Sequence, residues 1–315
     1  LADAQALDVI PGLGWGSNIV LDDSDPGSCL DYIPLEWSGS GRGDYREPPL
    51  EIGETTELRY VNHRILDGPA PMVCTLPQAG GGCETLEVVL EQPGLRLKLY
   101  YSLFETALTR RAVLENTGDA DVSILKCMSF SLDLPGSYYM TTFHGGWSAE
   151  MRRMDNRVGG AKVTNESRTG ASSNQHNPGF MLWEDGTTEN AGVAYGFNLI
   201  YSGNHYAGCQ RSFQGLNRIM QGINPANFQR QLLPGELFET PEAVLAGSDL
   251  GFNGLSRQLH SFVNSHVVPK YWQFRERPVL YNSWEGCMFD FNQSRLLDLA
   301  KRAKNLGCEL FVLDD

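Results

Sequence analysis

No stretch of this sequence holds about 18 consecutive apolar residues, which excludes a membrane-spanning helix. Bases are scarce: 25 Lys and Arg against 38 Asp and Glu leave a net charge of −13, spread along the whole chain. That balance argues against nucleic acid or an anionic membrane surface as a partner and fits a neutral or cationic ligand better. The 7 cysteines contain no CxxC and no Cys/His spacing of a zinc site, which argues against a metal. GxSxG, HExxH, a Walker loop and a GxGxxG ahead of a helix are all missing, so the common local signatures of nucleophile, metalloprotease and nucleotide chemistry are absent. The opening LADAQALDVI has no basic stretch and no long apolar run, so it is not a signal peptide. Leu1 stands where a methionine would open a chain, and residues are expected to have been removed ahead of it.

What is present is a chain of 315 residues, long enough for two domains and a large core without staples. From about residue 50 to 250 the signal is period two with turn punctuation. Leu95, Leu97 and Leu99 share one strand face while Arg96 and Lys98 take the other, and Gln92-Pro93-Gly94 separates this strand from Leu86–Glu91: a hairpin. Further strands are expected at 109–116, broken at Asn116-Thr-Gly-Asp119, at 122–128, at 192–201 and at 231–233. With 34 glycines and 16 prolines to supply the turns, this pattern reads as a large antiparallel sandwich. The period then changes. Leu255, Leu259, Phe262 and Val263 form a helical stripe that ends before Pro269, Arg277–Asn282 reads as a buried strand, and Leu296, Leu299, Ala300, Ala303 and Leu306 line a second helix. Asn292 suits the N-cap of that helix and Gly307 its C-terminal cap, and Glu309–Leu313 supplies another strand. Strand, helix, strand in this order is a βαβ unit with parallel strands. One such unit cannot cover both sheet faces, so it is expected to open a larger α/β domain, a (β/α)8 barrel, cut after its second strand. The expected domains are a β-supersandwich over 1–253, a helical linker over 254–277 and the barrel start over 278–315.

In parallel α/β folds the ligand site lies at the carboxyl ends of the strands. Asn282-Ser-Trp-Glu285 leaves the first strand there and Asp314-Asp315 leaves the second, so Trp284, Glu285, Asp314 and Asp315 are expected around one rim. Two readings of the Asp pair stay open: a strand cap, or acceptors for ligand hydroxyls. Adjacent strand residues point to opposite faces, so the pair is poorly placed to flank one scissile bond as acid and nucleophile. Aromatics beside Gly, Ser or Asn, as in GWGS, GGWS and YSGN, suit a surface for a neutral polar ligand such as a sugar. His144, His176, His205 and His266 stand isolated in the sequence and read as surface or hydrogen-bonded residues. Cys74 and Cys83 flank TLPQAGGG and can pair in an oxidising compartment. Asn165 and Asn292 begin N-glycosylation sequons and Arg42-Gly-Asp44 spells an adhesion tripeptide, but patterns this short arise by chance and leave the compartment open between secreted and cytoplasmic.

RPVLYNSWEGCMFDFNQSRLLDLAKRAKNLGCELFVLDD resembles the start of the catalytic barrel of glycoside hydrolase family 36, the bacterial and fungal α-galactosidases. LEWSGSGRGDYREPPLEI, LDLPGSYYMTTFHGGWSAEM, RTGASSNQHNPGF, GINPANF and LLPGELFETPEAVLAGSDLG are similar, in the same order, to that family's N-terminal supersandwich. The resemblance implies a retaining hydrolase of terminal α-galactosides, such as melibiose and raffinose-type oligosaccharides, that works without a cofactor. It implies that Asp314 and Asp315 bind galactose hydroxyls, that Trp284 lines the same pocket and that Trp147 reaches the sugar; Asp3, in LAD, is the counterpart of an early loop acid of some relatives. It also implies a homo-oligomer, a tetramer in which a neighbour's sandwich helps to close the pocket. The family's nucleophile lies in a later Lys-Trp-Asp segment and its acid/base later still. Neither occurs here, so no catalytic residue is assigned and the chain alone is expected to be inactive. The competing reading is a stand-alone carbohydrate-binding β-sandwich module.

Overall fold

The structure, a computed structural model, describes Trp37 and residues 47–213 and 215–314. By compactness the chain divides into Leu1–Val267 and Val268–Asp315.

The first unit is mainly antiparallel β. One sheet has ten strands and another five. The predicted hairpin sits in the larger sheet: Glu84–Gln92 pairs with Leu95–Leu103 in a register running from Glu84↔Leu103 to Gln92↔Leu95, and Pro93-Gly94 makes the turn. Gly94 adopts φ +79°, the left-handed conformation that favours glycine in a two-residue hairpin turn. The alternation works as expected: Leu95, Leu97 and Leu99 are buried with Val88, Leu90, Ala112 and Leu114 in one core, while Arg96 on the opposite face pairs with Glu91 and Glu115. A separate core gathers Phe130, Phe180 and Phe197, whose rings stack with centroids 4.7 Å apart for Phe180–Phe197 and 5.6 Å for Phe130–Phe197. The strand over Leu108–Asn116 ends where predicted, because the Asn116 side chain accepts from the Gly118 N–H at 3.0 Å and closes a local turn.

Burial forces the polar groups of this unit into pairs. Arg218 and Asp133 form a bidentate pair at 2.5 and 2.7 Å inside the five-stranded sheet. Arg111 pairs with Glu239 and also donates to the carbonyls of Ala70 and Pro71 at 2.8 and 2.6 Å. Glu239 in turn accepts from the backbone of Val73 and Cys74, and Glu242 accepts from the Ala79 N–H at 2.6 Å. Two buried acids and one guanidinium thus pin the long 68–83 connection to the sheet. Desolvation by burial is also what raises the Glu242 carboxyl above its ordinary range.

Several expectations need correction here. Cys74 and Cys83 are both free thiols: Cys74 donates to Glu239 at 2.9 Å and Cys83 lies near Thr85 instead. Asn165 is buried and its side-chain amide donates to the Asn177 carbonyl at 2.6 Å, so its sequon is closed to a glycosylating enzyme in the folded chain. The helix starts earlier than its apolar stripe, spanning Gly251–Phe262, and it continues as a π-helical turn over Val263–Val267 before Pro269. Leu255 and Phe262 bury against Ala194, Val244 and Phe104 of the sandwich.

The second unit holds the strand–helix–strand arrangement. Leu280–Asn282 and Leu310–Val312 pair in parallel, with Leu280↔Leu310, Tyr281↔Phe311 and Asn282↔Val312 in register, and the helix Gln293–Asn305 lies between them in sequence. Asn292 caps that helix by accepting from the Arg295 N–H at 3.0 Å, and Gly307 leaves it at φ +93°. Ala303 of the predicted stripe is buried and Leu296, Leu299 and Ala300 are half-buried, whereas Leu306, past the last turn, is exposed. The segment 277–282 is not the buried strand expected: only its last three residues are strand, and Val279 and Leu280 are 58% and 50% exposed. A two-stranded sheet cannot cover both of its faces, so these side chains stay in contact with water.

Candidate functional site

Two places in the fold carry the predicted site residues, one in each unit. In the second unit the parallel strands deliver their carboxyl ends side by side. Ser283 donates its N–H to the Val312 carbonyl at 2.9 Å, extending the pairing one residue past the strand. The Asn282 side chain then works at both ends. Its Nδ2 donates to Asp314 Oδ2 at 2.9 Å and its Oδ1 accepts from the Trp284 N–H at 2.8 Å. One carboxamide therefore joins the acid on the second strand to the residue that begins the turn after the first. Ser283 Oγ, buried beneath, accepts from the Asp314 N–H at 3.2 Å. Trp284 opens a short helix, Trp284–Cys287, and its indole meets Phe289 edge to face with centroids 4.9 Å apart. That helix can pack tightly because residue 286 is glycine: a Cβ there would lie 2.4 Å from the Tyr281 hydroxyl.

The structure thus brings Asp314 and Trp284 to one rim, through Asn282. Glu285 is exposed on the same short helix. Asp315 and Asp3 lie outside the described residues. Asn282 and Ser283 are the residues whose roles the sequence reading missed. The signal was there: two small polar residues follow directly on an apolar strand, at the end where ligands bind.

Chemically, Asp314 is an exposed acid whose carboxylate is oriented by the hydrogen bond it accepts from Asn282. An acid held this way suits the hydroxyls of a neutral ligand, and an indole such as that of Trp284 can offer a flat apolar face.

In the first unit Trp147 sits on the loop between the strands Tyr138–His144 and Arg152–Arg157, and it is 92% exposed. The loop folds tightly on itself: Ala149 N–H donates to the Gly146 carbonyl at 2.9 Å, and a Cβ on Gly145 would lie 2.3 Å from the Ala149 carbonyl oxygen. Beneath it the histidines that look isolated in sequence converge. His144 Nδ1 and His176 Nδ1 are 3.3 Å apart, and Thr142 Oγ1 lies 2.7 Å from His144 Nε2. His205 is fully buried, and its burial, with His176 nearby, pushes its imidazole down to about 4. His266 lies elsewhere, bonded to the Gly80 carbonyl at 2.8 Å.

Residues 15–233 match the glycosyl hydrolase family 36 N-terminal domain and residues 237–315 match the melibiase domain. The chain is 39% identical over 99% of its length to alpha-galactosidase AgaA of Geobacillus stearothermophilus, covering 45% of that protein. It is 36% identical over 89% of its length to alpha-galactosidase 2 of Hypocrea jecorina, covering 39% of it. Crystal structures of AgaA variants in complex with stachyose and with raffinose each superpose with a TM-score of 0.90 at 35% identity, over 100% of this chain and 46% of theirs. The chain therefore spans less than half the length of the relatives it matches.

Proposed function

The chain belongs to glycosyl hydrolase family 36, and from that premise we propose that the whole protein removes terminal, non-reducing α-galactosyl residues from melibiose and raffinose-type oligosaccharides by a retaining mechanism. The observation that carries this reading is the Asn282-centred bridge between the Asp314 carboxylate and the Trp284 backbone N–H at the strand ends. Asp314, with Asp315 after it, accepts hydrogen bonds from galactose hydroxyls, and Trp284 covers an apolar face of the sugar. Trp147 brings a second indole to the sugar, and Asp3 adds an early acid. No nucleophile or acid/base is assigned within these 315 residues. The retaining mechanism needs two carboxyl groups about 5 to 5.5 Å apart, which the melibiase domain beyond this segment is expected to supply.

In this reading 1–253 is the sandwich that shapes and oligomerises the enzyme, 254–277 connects, and 278–315 begins the catalytic barrel. The exposed Trp147 loop suits a tetramer in which one subunit's sandwich helps to close another's pocket. The test is hydrolysis of melibiose, raffinose and an aryl α-galactoside by the complete protein. Asp314→Ala is expected to lower kcat/KM by roughly 2 to 4 kcal/mol in transition-state binding, because it removes charge-assisted hydrogen bonds to the sugar. Unchanged hydrolysis by that variant contradicts the assignment, and a complete protein that binds galactosides without cleaving them favours a carbohydrate-binding module.

A further inference from the structure

The Trp147 loop is gripped at both ends by one short segment. At its start, His144 closes the Tyr138–His144 strand opposite His176, the two paired in register, and their Nδ1 atoms lie 3.3 Å apart. At its end, Met151 Sδ accepts from Asn177 Nδ2 at 3.5 Å. Neighbouring residues of a single strand end therefore touch the residues that bracket the loop. That strand end is itself held. His176 N–H donates to the Ser173 carbonyl at 3.2 Å, and the Asn177 carbonyl accepts from the buried Asn165 side chain at 2.6 Å. The Asn177 side chain is oriented by a third contact, accepting from the Gly179 N–H at 2.8 Å.

Between these anchors the loop keeps an unusual backbone. Ser148 and Met151 both adopt left-handed conformations, with φ of 61° and 54°, which non-glycine residues rarely take. Ser148 N–H is satisfied by the Glu150 carboxylate at 2.9 Å. A loop with two such residues holds its shape only when its surroundings enforce it. The indole it carries, almost wholly exposed, has no packing of its own to fix its direction.

We propose that His176 and Asn177 are positioning residues for Trp147, holding its loop in the shape that meets the sugar. The inference rests on the reading that Trp147 contacts substrate. A hydrogen bond between the two Nδ1 atoms requires one nitrogen to donate and the other to accept, which calls for opposite Nδ1 protonation in His144 and His176.

The decisive experiment is a kinetic double-mutant cycle in the complete protein with raffinose as substrate. His176→Ala is expected to raise KM roughly 5- to 10-fold with kcat held within about twofold, as loss of substrate positioning without loss of the reacting groups. His176→Asn, whose amide can occupy the Nδ1 position, is expected to restore most of the loss. In a Trp147→Ala background, His176→Ala is expected to add nothing. If Trp147→Ala raises KM and His176→Ala does not, or if the two effects add fully, the positioning role is overturned while the sugar role of Trp147 stands. If Trp147→Ala leaves KM unchanged, the sugar role of Trp147 fails and the inference with it, whereas the Asp314 result still judges the wider reading. Should His176→Ala fold poorly, imidazole 15N chemical shifts of the unaltered chain decide the geometry. Opposite Nδ1 states for His144 and His176 support the pair, and identical states overturn it.

Discussion

In the sandwich, the side chains of the Arg111–Glu239 pair are 5% and 1% exposed; in the 268–315 unit, those of the Arg295–Asp290 pair are 42% and 91% exposed. Leu97 is completely buried, whereas Leu306 is 85% exposed. The same residue types do different work in the two regions. The buried Arg111–Glu239 pair is structural because desolvation leaves its charges no alternative to each other. In the strand–helix–strand unit Ser283 is buried and Asn282 half-buried at the strand ends, whereas Asp314 just past the second strand is exposed. The sandwich is where stability resides, and the small parallel unit is where the proposed sugar chemistry begins.

Mutations that exchange these roles test the contrast. Glu239→Ala leaves Arg111 buried without its carboxylate and releases the 68–83 connection, and is expected to cost about 3 to 5 kcal/mol. Asp290→Ala, at the exposed pair, should cost less than about 1 kcal/mol. Chemical denaturation of both variants measures the difference, and equal losses would break the contrast.

The second effect depends on pH. His205 titrates near 4 in the folded chain against an ordinary value of 6.5, so the unfolded chain binds the extra proton between those values. Stability from this group is complete above about pH 6.5 and declines as pH falls toward 4, by up to about 3 kcal/mol. A His205→Gln variant should lose that part of the slope in denaturation curves recorded across the window; an unchanged slope means that other groups set it.

Asn282→Ala sharpens the site side of the comparison. It removes the bridge to Asp314 and Trp284 but no buried charge, so the expected loss is on the order of 1 to 2 kcal/mol, seen in galactoside hydrolysis more than in melting temperature. The smallest effect belongs to Asn292→Ala, which removes a helix N-cap worth about 1 kcal/mol and should appear in thermal melting without altering the hydrolysis ratio between substrates.

Much of this arrangement can be read from residue order. The hairpin register follows from Leu95, Leu97 and Leu99, and the parallel unit from a capped helix between two apolar runs. The helix start at Gly251 was hidden because glycines carry no periodic signal. Gly251 adopts φ +66°, and a Cβ on Gly254 would lie 2.3 Å from Ser248 Oγ, so close packing selects glycine where helix propensity disfavours it. The histidine group was hidden for another reason: His144 and His176 are neighbours only through strand pairing, which spacing along the chain does not reveal. Asn282 was visible as a residue but not as a bridge, because its role depends on Asp314 arriving from the adjacent strand. Asp314 was legible as an acid just past the second strand. What sets Asp314 to a particular task is the side-chain geometry around it.

The most direct measurement is a crystal structure of the complete protein with a galactoside bound. The account predicts Asp314 Oδ within hydrogen-bonding distance of a galactose hydroxyl while its carboxylate still accepts from Asn282 Nδ2, with the Trp284 ring against the sugar. A galactosyl residue bound away from Asp314, or an Asp314 carboxylate turned from the sugar, would contradict it.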